Sequence, residues 1–209
     1  MNSLNFTTCI AMPVVFEKEI SPAKKLAVWH ITEPLDFFLD QLGRSFNPQQ
    51  TLKRQLEGAC SALLLNFTGK NTYQDLLKKD EFGKPYLEGL NTSISFSHSR
   101  DMVACLVDHD GKAAGIDIEE SRDKINIIAP KFLNGQDHTP YEGTKHYHLV
   151  WGAKEVLYKI YSRKELDFKS HLTVNFYEKF EGIIHKGEFR KKYDLDFLDF
   201  NNFILVWNV

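Results

Sequence analysis

A chain of 209 residues suits one large domain or two small ones and is long enough to bury a real core. Lys+Arg 26 against Asp+Glu 28 excludes the global basic field that gathers nucleic acid, so any anion site has to be built locally. A 43% hydrophobic share with 16 Phe provides bulky core material, and no apolar stretch approaches the length of a membrane span.

The first twenty residues lack the basic start and long apolar run of a signal peptide, so a cytoplasmic location is expected. Cys9, Cys60 and Cys105 are widely spaced and odd in number, which argues against a disulfide framework and against a zinc site. "TTCIAMPVVF" and "KLAVWHI" read as strands separated by a turn at "EKEISPAK". "EPLDFFLDQL" has apolar residues at helical spacing. "NPQQTLKRQLEGACSALLLNF" predicts a long helix with Asn47 as cap and Pro48 at its first position. "TGKNTYQDLLKKDEFGKPYLEG" reads as loop.

Three short β runs follow: "TSISFSH", "MVACLVD" and "AAGIDIEE". The turns at Ser99 to Asp101 and at Asp110-Gly111 predict an antiparallel meander. In such a meander the C-terminal ends of the first and third strands share one rim. His98 should therefore lie near Asp117 and Glu119. "NIIAPKFLNGQD" reads as a short helix and loop, and "HYHLVWGAKEVLYKIYS" as a strong helix. The tail returns to strands and turns.

Four clusters carry chemistry. Asp117 and Glu119 alternate with Ile116 and Ile118, so the two acids share one strand face about 7 Å apart. At an effective dielectric near 20 they repel by about 2.4 kcal/mol. Either water screens them, as at a solvated strand end, or a cation sits between them; Mg²⁺ favours such oxygens. Glu155 and Lys159, at i and i+4, form an ordinary helix ion pair or, with Lys154, a metal and phosphate site. Ser97 and His98 form a polar strand edge or an anion contact. Gly83-Lys84-Pro85-Tyr86 is a stiff turn that presents a lysine.

In order, GKPY, a Ser-His strand end, "GIDIEE" and "WGAKEVLYK" resemble the 4′-phosphopantetheinyl transferases, in the larger single-chain type named for the activator of surfactin synthetase. By motif the resemblance spans residues 80 to 165. It implies an α+β fold of two similar halves, residues 1–108 and 109–209, related by a pseudo-twofold. Each half would be an antiparallel sheet packed with a long helix, with the active site in the cleft between them. It implies Mg²⁺ held by Asp117, Glu119 and Glu155, and coenzyme A phosphates met by Lys84, Ser97, His98, Lys154 and Lys159. Lys159 is expected near the phosphates or the acceptor serine. The implied reaction moves 4′-phosphopantetheine from coenzyme A onto a serine of an apo acyl or peptidyl carrier protein and releases 3′,5′-ADP. Glu155 is the expected base, directly or through a water, and a metal-bound water is the competing one. A monomer would suffice for this chemistry. A different class of reading is a non-catalytic module that binds coenzyme A or a carrier protein; retention of all three carboxylates argues against it.

Two departures stand out. Position 152 is Gly where the family commonly has Ser, Thr or Cys, and a helix-interior glycine costs up to about 1 kcal/mol. "EGACSALLL" lacks the arginine with which members grip the 3′-phosphate of coenzyme A, and Arg54 is the best match for it.

Overall fold

A computed structural model describes residues 13–43, 49–163 and 165–209. Asn47, Pro48 and Cys9 lie outside them, as does the start of the first expected strand. The fold is mixed α+β with antiparallel sheets. Strands β1 (Val14–Ser21) and β2 (Lys24–His30) form a hairpin. Helices α1 (Leu35–Leu42), α2 (Leu52–Thr68) and α3 (Tyr73–Leu76) follow, then a small hairpin of β3 (Leu77–Lys79) and β4 (Pro85–Leu87). Next come β5 (Ser93–Ser99), β6 (Met102–Asp108), β7 (Ile116–Glu120), α4 (Ile125–Phe132) and α5 (Gly143–Tyr161). The chain ends with β8 (Leu172–Phe176), β9 (Phe180–Lys186), β10 (Phe189–Phe200) and β11 (Phe203–Asn208).

The polar "EKEIS" expected in a turn extends β1 instead. β1 is an edge strand with alternating half-buried and exposed residues, so its outer face tolerates charge, and the turn shrinks to Pro22 and Ala23. Thr51 caps the described start of α2, its hydroxyl accepting from the Arg54 N–H at 3.4 Å.

The expected meander is half right. β5 and β6 pair antiparallel, but β7 pairs with β11. One sheet has the order β1-β2-β6-β5 and the other β7-β11-β10-β9-β8. β6 already has β2 and β5 on its two edges, so no edge is left for β7. Every strand of the four-stranded sheet precedes residue 109 and every strand of the five-stranded sheet follows it.

Side chains from β2 and β6 go alternately to two cores. Ala27, Trp29, Val103 and Cys105 pack with Phe38 of α1 and Leu64 of α2. Leu26, Val28, Ala104 and Leu106 pack with Ile116, Ile118, Leu205 and Trp207 of the other sheet. Ile204 and Val206, on the opposite face of β11, pack with Val150 and Ala153 of α5. Burial on both faces explains why "MVACLVD" and "FILVW" are continuous rather than alternating apolar runs. Each fully buried Leu, Ile or Val contributes about 1.5–3 kcal/mol. Cys60 and Cys105 are free and buried, and burial pushes the Cys105 thiol up to about 12. No helix among the described residues is long and apolar enough to cross a membrane.

Candidate active site

β7 and α5 build the centre of the site. Ile116 and Ile118 enter the core between the sheets, which turns Asp117 and Glu119 to the other face. Asp117 is 3% exposed. Its Oδ1 accepts from the Ser97 hydroxyl at 2.9 Å and the Lys159 ammonium at 2.7 Å. Its Oδ2 is buried and has no hydrogen-bond partner. Burial, then the Asp117 charge, pushes the Glu119 carboxyl up to about 7, while Lys159 and the Ser99 hydroxyl pull the other way. Glu155 is likewise pushed up to about 7 by burial, Asp117 and Glu119 against the pull of Lys159. The three carboxylates therefore share one electrostatic field, and Asp117 and Glu119 are not a solvated strand end.

His148, Gly152, Glu155 and Lys159 occupy one stripe of α5 at helical spacing. Lys159 pairs with Asp117, not with Glu155 one turn earlier, and also donates to Ser97 and the Ile116 carbonyl. Gly152 sits where α5 approaches β11: a Cβ there would lie 2.9 Å from Val206 Cγ2 and 3.7 Å from Asp117 Oδ2. The glycine is thus part of a close helix–sheet contact. His148 is buried, and its Nε2 accepts from the Arg122 N–H at 3.0 Å just beyond Glu119 and Glu120.

The donor set suits a hard divalent cation: three carboxylates, two of them with raised pKa because burial and the neighbouring charges disfavour their ionised forms, and a buried Asp117 oxygen without a partner. The side chains do not form a closed cage, since no group of three His, Cys, Asp or Glu among the described residues is gathered around a metal position.

Beside this cluster opens a cavity of about 970 Å³, walled by α2, the β3–β4 turn, β5 and the end of α5. Arg54, Glu57, Lys84, His98 and Lys159 line it. The β3–β4 turn is held by Asp80, whose Oδ1 accepts from the N–H groups of Phe82 and Lys84. Lys84 reaches the Ile160 carbonyl at 3.4 Å, and burial lowers its pKa. The imidazole of His98 lies 3.8 Å from the Glu57 carboxylate. Arg54, Lys84, His98 and Lys159, expected at one anion site, do line one space.

Two expected phosphate contacts lie elsewhere. Lys154 is fully buried, and its ammonium donates to Asp137 at 2.7 Å and to the carbonyls of Phe132 and Phe168. Those bonds spend its donors on structure. Ser97 is buried and turned to Asp117 and Lys159. Glu57 and His148 were not singled out by the motifs. Arg54, Glu57 and Ser61 nevertheless recur at helical spacing along α2, and that is the signal for one helix face lining a polar space.

Comparison with protein-family models and with curated proteins gives no match for this chain.

Proposed function

We propose that this protein is a Mg²⁺-dependent 4′-phosphopantetheinyl transferase that acts on apo acyl or peptidyl carrier proteins. The observation that carries the reading is the cavity lined by Arg54, Lys84 and His98 adjoining a three-carboxylate cluster with Asp117 buried at its centre, with Lys159 belonging to both. On this reading the four-stranded sheet with α2 and the five-stranded sheet with α5 are similar halves about a pseudo-twofold, and the reaction occurs in the cleft between them. The protein works as a cytoplasmic monomer.

Asp117, Glu119 and Glu155 would hold Mg²⁺, which when bound supplies positive charge to the pyrophosphate of coenzyme A. Arg54, Lys84 and His98 bind the phosphates of the nucleotide end in the cavity. The hydroxyl oxygen of the carrier serine attacks the phosphorus bearing pantetheine. The bond from that phosphorus to the bridging oxygen breaks, and 3′,5′-ADP leaves with the electron pair. Lys159, whose three N–H groups already go to Asp117, Ser97 and the Ile116 carbonyl, would offset the negative charge that grows there through its charge and not through a hydrogen bond of its own. The serine proton passes to Glu155, directly or through a water.

The test combines the protein, coenzyme A, Mg²⁺ and a panel of apo carriers, with the carrier weighed by mass spectrometry. The expected result is a gain of one phosphopantetheine unit with at least one carrier, abolished by Glu155→Gln with the fold intact. No gain with any carrier overturns the reading. Full activity in Glu155→Gln removes that residue from both assigned roles.

A further inference from the structure

We infer that Ser97 and Ser99 are positioning residues that aim the carboxylates of β7, and that Ser97 is not a phosphate contact; this rests on the metal-binding part of the proposed function. β5 and β7 are edge strands of different sheets and share no backbone ladder. They nevertheless run side by side, joined by hydroxyls. Ser95, Ser97 and Ser99 alternate along β5, so all three point to one face. Ser95 Oγ accepts from the Ile116 N–H at 3.2 Å, and Ser99 Oγ accepts from the Glu120 N–H at 3.1 Å. Between them Ser97 donates to Asp117 at 2.9 Å, and Ser99 also reaches Glu119 at 3.4 Å. The backbone N–H groups at both ends of β7 thus find their partners in serine side chains at a seam where no strand supplies a carbonyl.

The consequence lies in how Asp117 is held. A hydroxyl has one proton to give and lone pairs to receive. Ser97 gives its proton to Asp117 Oδ1 and receives the Lys159 ammonium at 3.0 Å, while Lys159 also donates to the same Oδ1. One carboxylate oxygen is therefore doubly fixed and the other, Oδ2, is buried and bare. A buried acceptor without a partner calls for an explanation, and a carboxylate pinned by one oxygen with the other presented is the way an outer hydrogen bond orients a metal ligand. Ser97 has no donor left for a phosphate.

The probe is Mn²⁺, titrated calorimetrically into the protein alone, without coenzyme A or carrier. Ser97→Ala is expected to weaken Mn²⁺ binding by about 10–100-fold, the usual effect of removing an outer-shell partner. Ser97→Thr, which keeps the hydroxyl, restores it. Ser95→Ala cuts the same seam but touches no carboxylate, so it is expected to leave Mn²⁺ affinity unchanged, which separates aiming from general loosening. The preference for coenzyme A over its 3′-dephospho form stays the same in Ser97→Ala. Unchanged Mn²⁺ affinity in Ser97→Ala overturns the inference, as does a lost 3′-phosphate preference or an equal effect from Ser95→Ala. If the unaltered protein binds no Mn²⁺, the metal-binding reading itself fails, and that is a separate result.

Discussion

Lys154 and Lys159 leave the same helix five residues apart and meet opposite surroundings. Lys159 is a quarter exposed and reaches the carboxylate cluster. Lys154 and its partner Asp137 are both fully buried. Asp137 also accepts from the N–H groups of Asn134 and Val174, so this ion pair ties α5 to the loop before it and to β8. Breaking a buried pair from one side leaves an uncompensated charge and costs about 3–5 kcal/mol. Lys154→Ala is therefore expected to lower stability to chemical denaturation by that amount, while the folded fraction binds coenzyme A as before. Loss of coenzyme A binding at unchanged stability would return Lys154 to the phosphate site. At this scale the sequence carries residue type and spacing well: alternation put Asp117 and Glu119 on one face, and they are there. It does not carry which lysine of a pair turns inward, because Asp137, Phe132 and Phe168 come from separate segments.

β7 shows the same limit one level up. Local turn signals read "MVACLVD" and "AAGIDIEE" as successive strands, and both are strands. The neighbour of β7 depends on β2 and β11, which lie some 90 residues away on either side and leave no trace in the turn. Ser97 and Asp117 come together even so, by the serine seam in place of a ladder, while the His98 side chain leaves β5 on the other face, toward Glu57 of α2 and away from the rim expected for it. Gly115, which opens the "GIDIEE" stretch, sets how close β7 lies to α5. A Cβ there would stand 2.7 Å from the Val156 carbonyl oxygen and 2.9 Å from Ile160 Cγ1. The helix backbone cannot yield without moving Glu155, the residue before Val156. Gly115→Ala is expected to cost about 1–3 kcal/mol through overpacking and to weaken Mn²⁺ binding. Normal stability with normal Mn²⁺ affinity would mean that helix and strand separate freely, and that the glycine does not set the site.

For the whole molecule, the core between the sheets decides whether the chain behaves as one unit or two. Leu26, Val28, Met102 and Leu106 from one sheet and Ile116, Ile118, Leu205 and Trp207 from the other are all buried there. Either sheet alone would expose this face to water, so heat should unfold the chain in one cooperative transition. The cavity is walled by α2 and β5 from one side and α5 from the other. A ligand that fills it binds only the assembled form. At one hundred times its dissociation constant, coenzyme A would add about 2.7 kcal/mol, which in a chain of this size raises the melting temperature by about 5–10 °C. Arg54 is exposed and its side chain supports no core contact, so Arg54→Ala should shrink that rise without changing the melting temperature of the free protein. Differential scanning calorimetry reads both. Two transitions, with coenzyme A moving only one, would mean that the sheets fold independently and that the ligand touches a single half, and a site assembled from both could not then be the one that binds it.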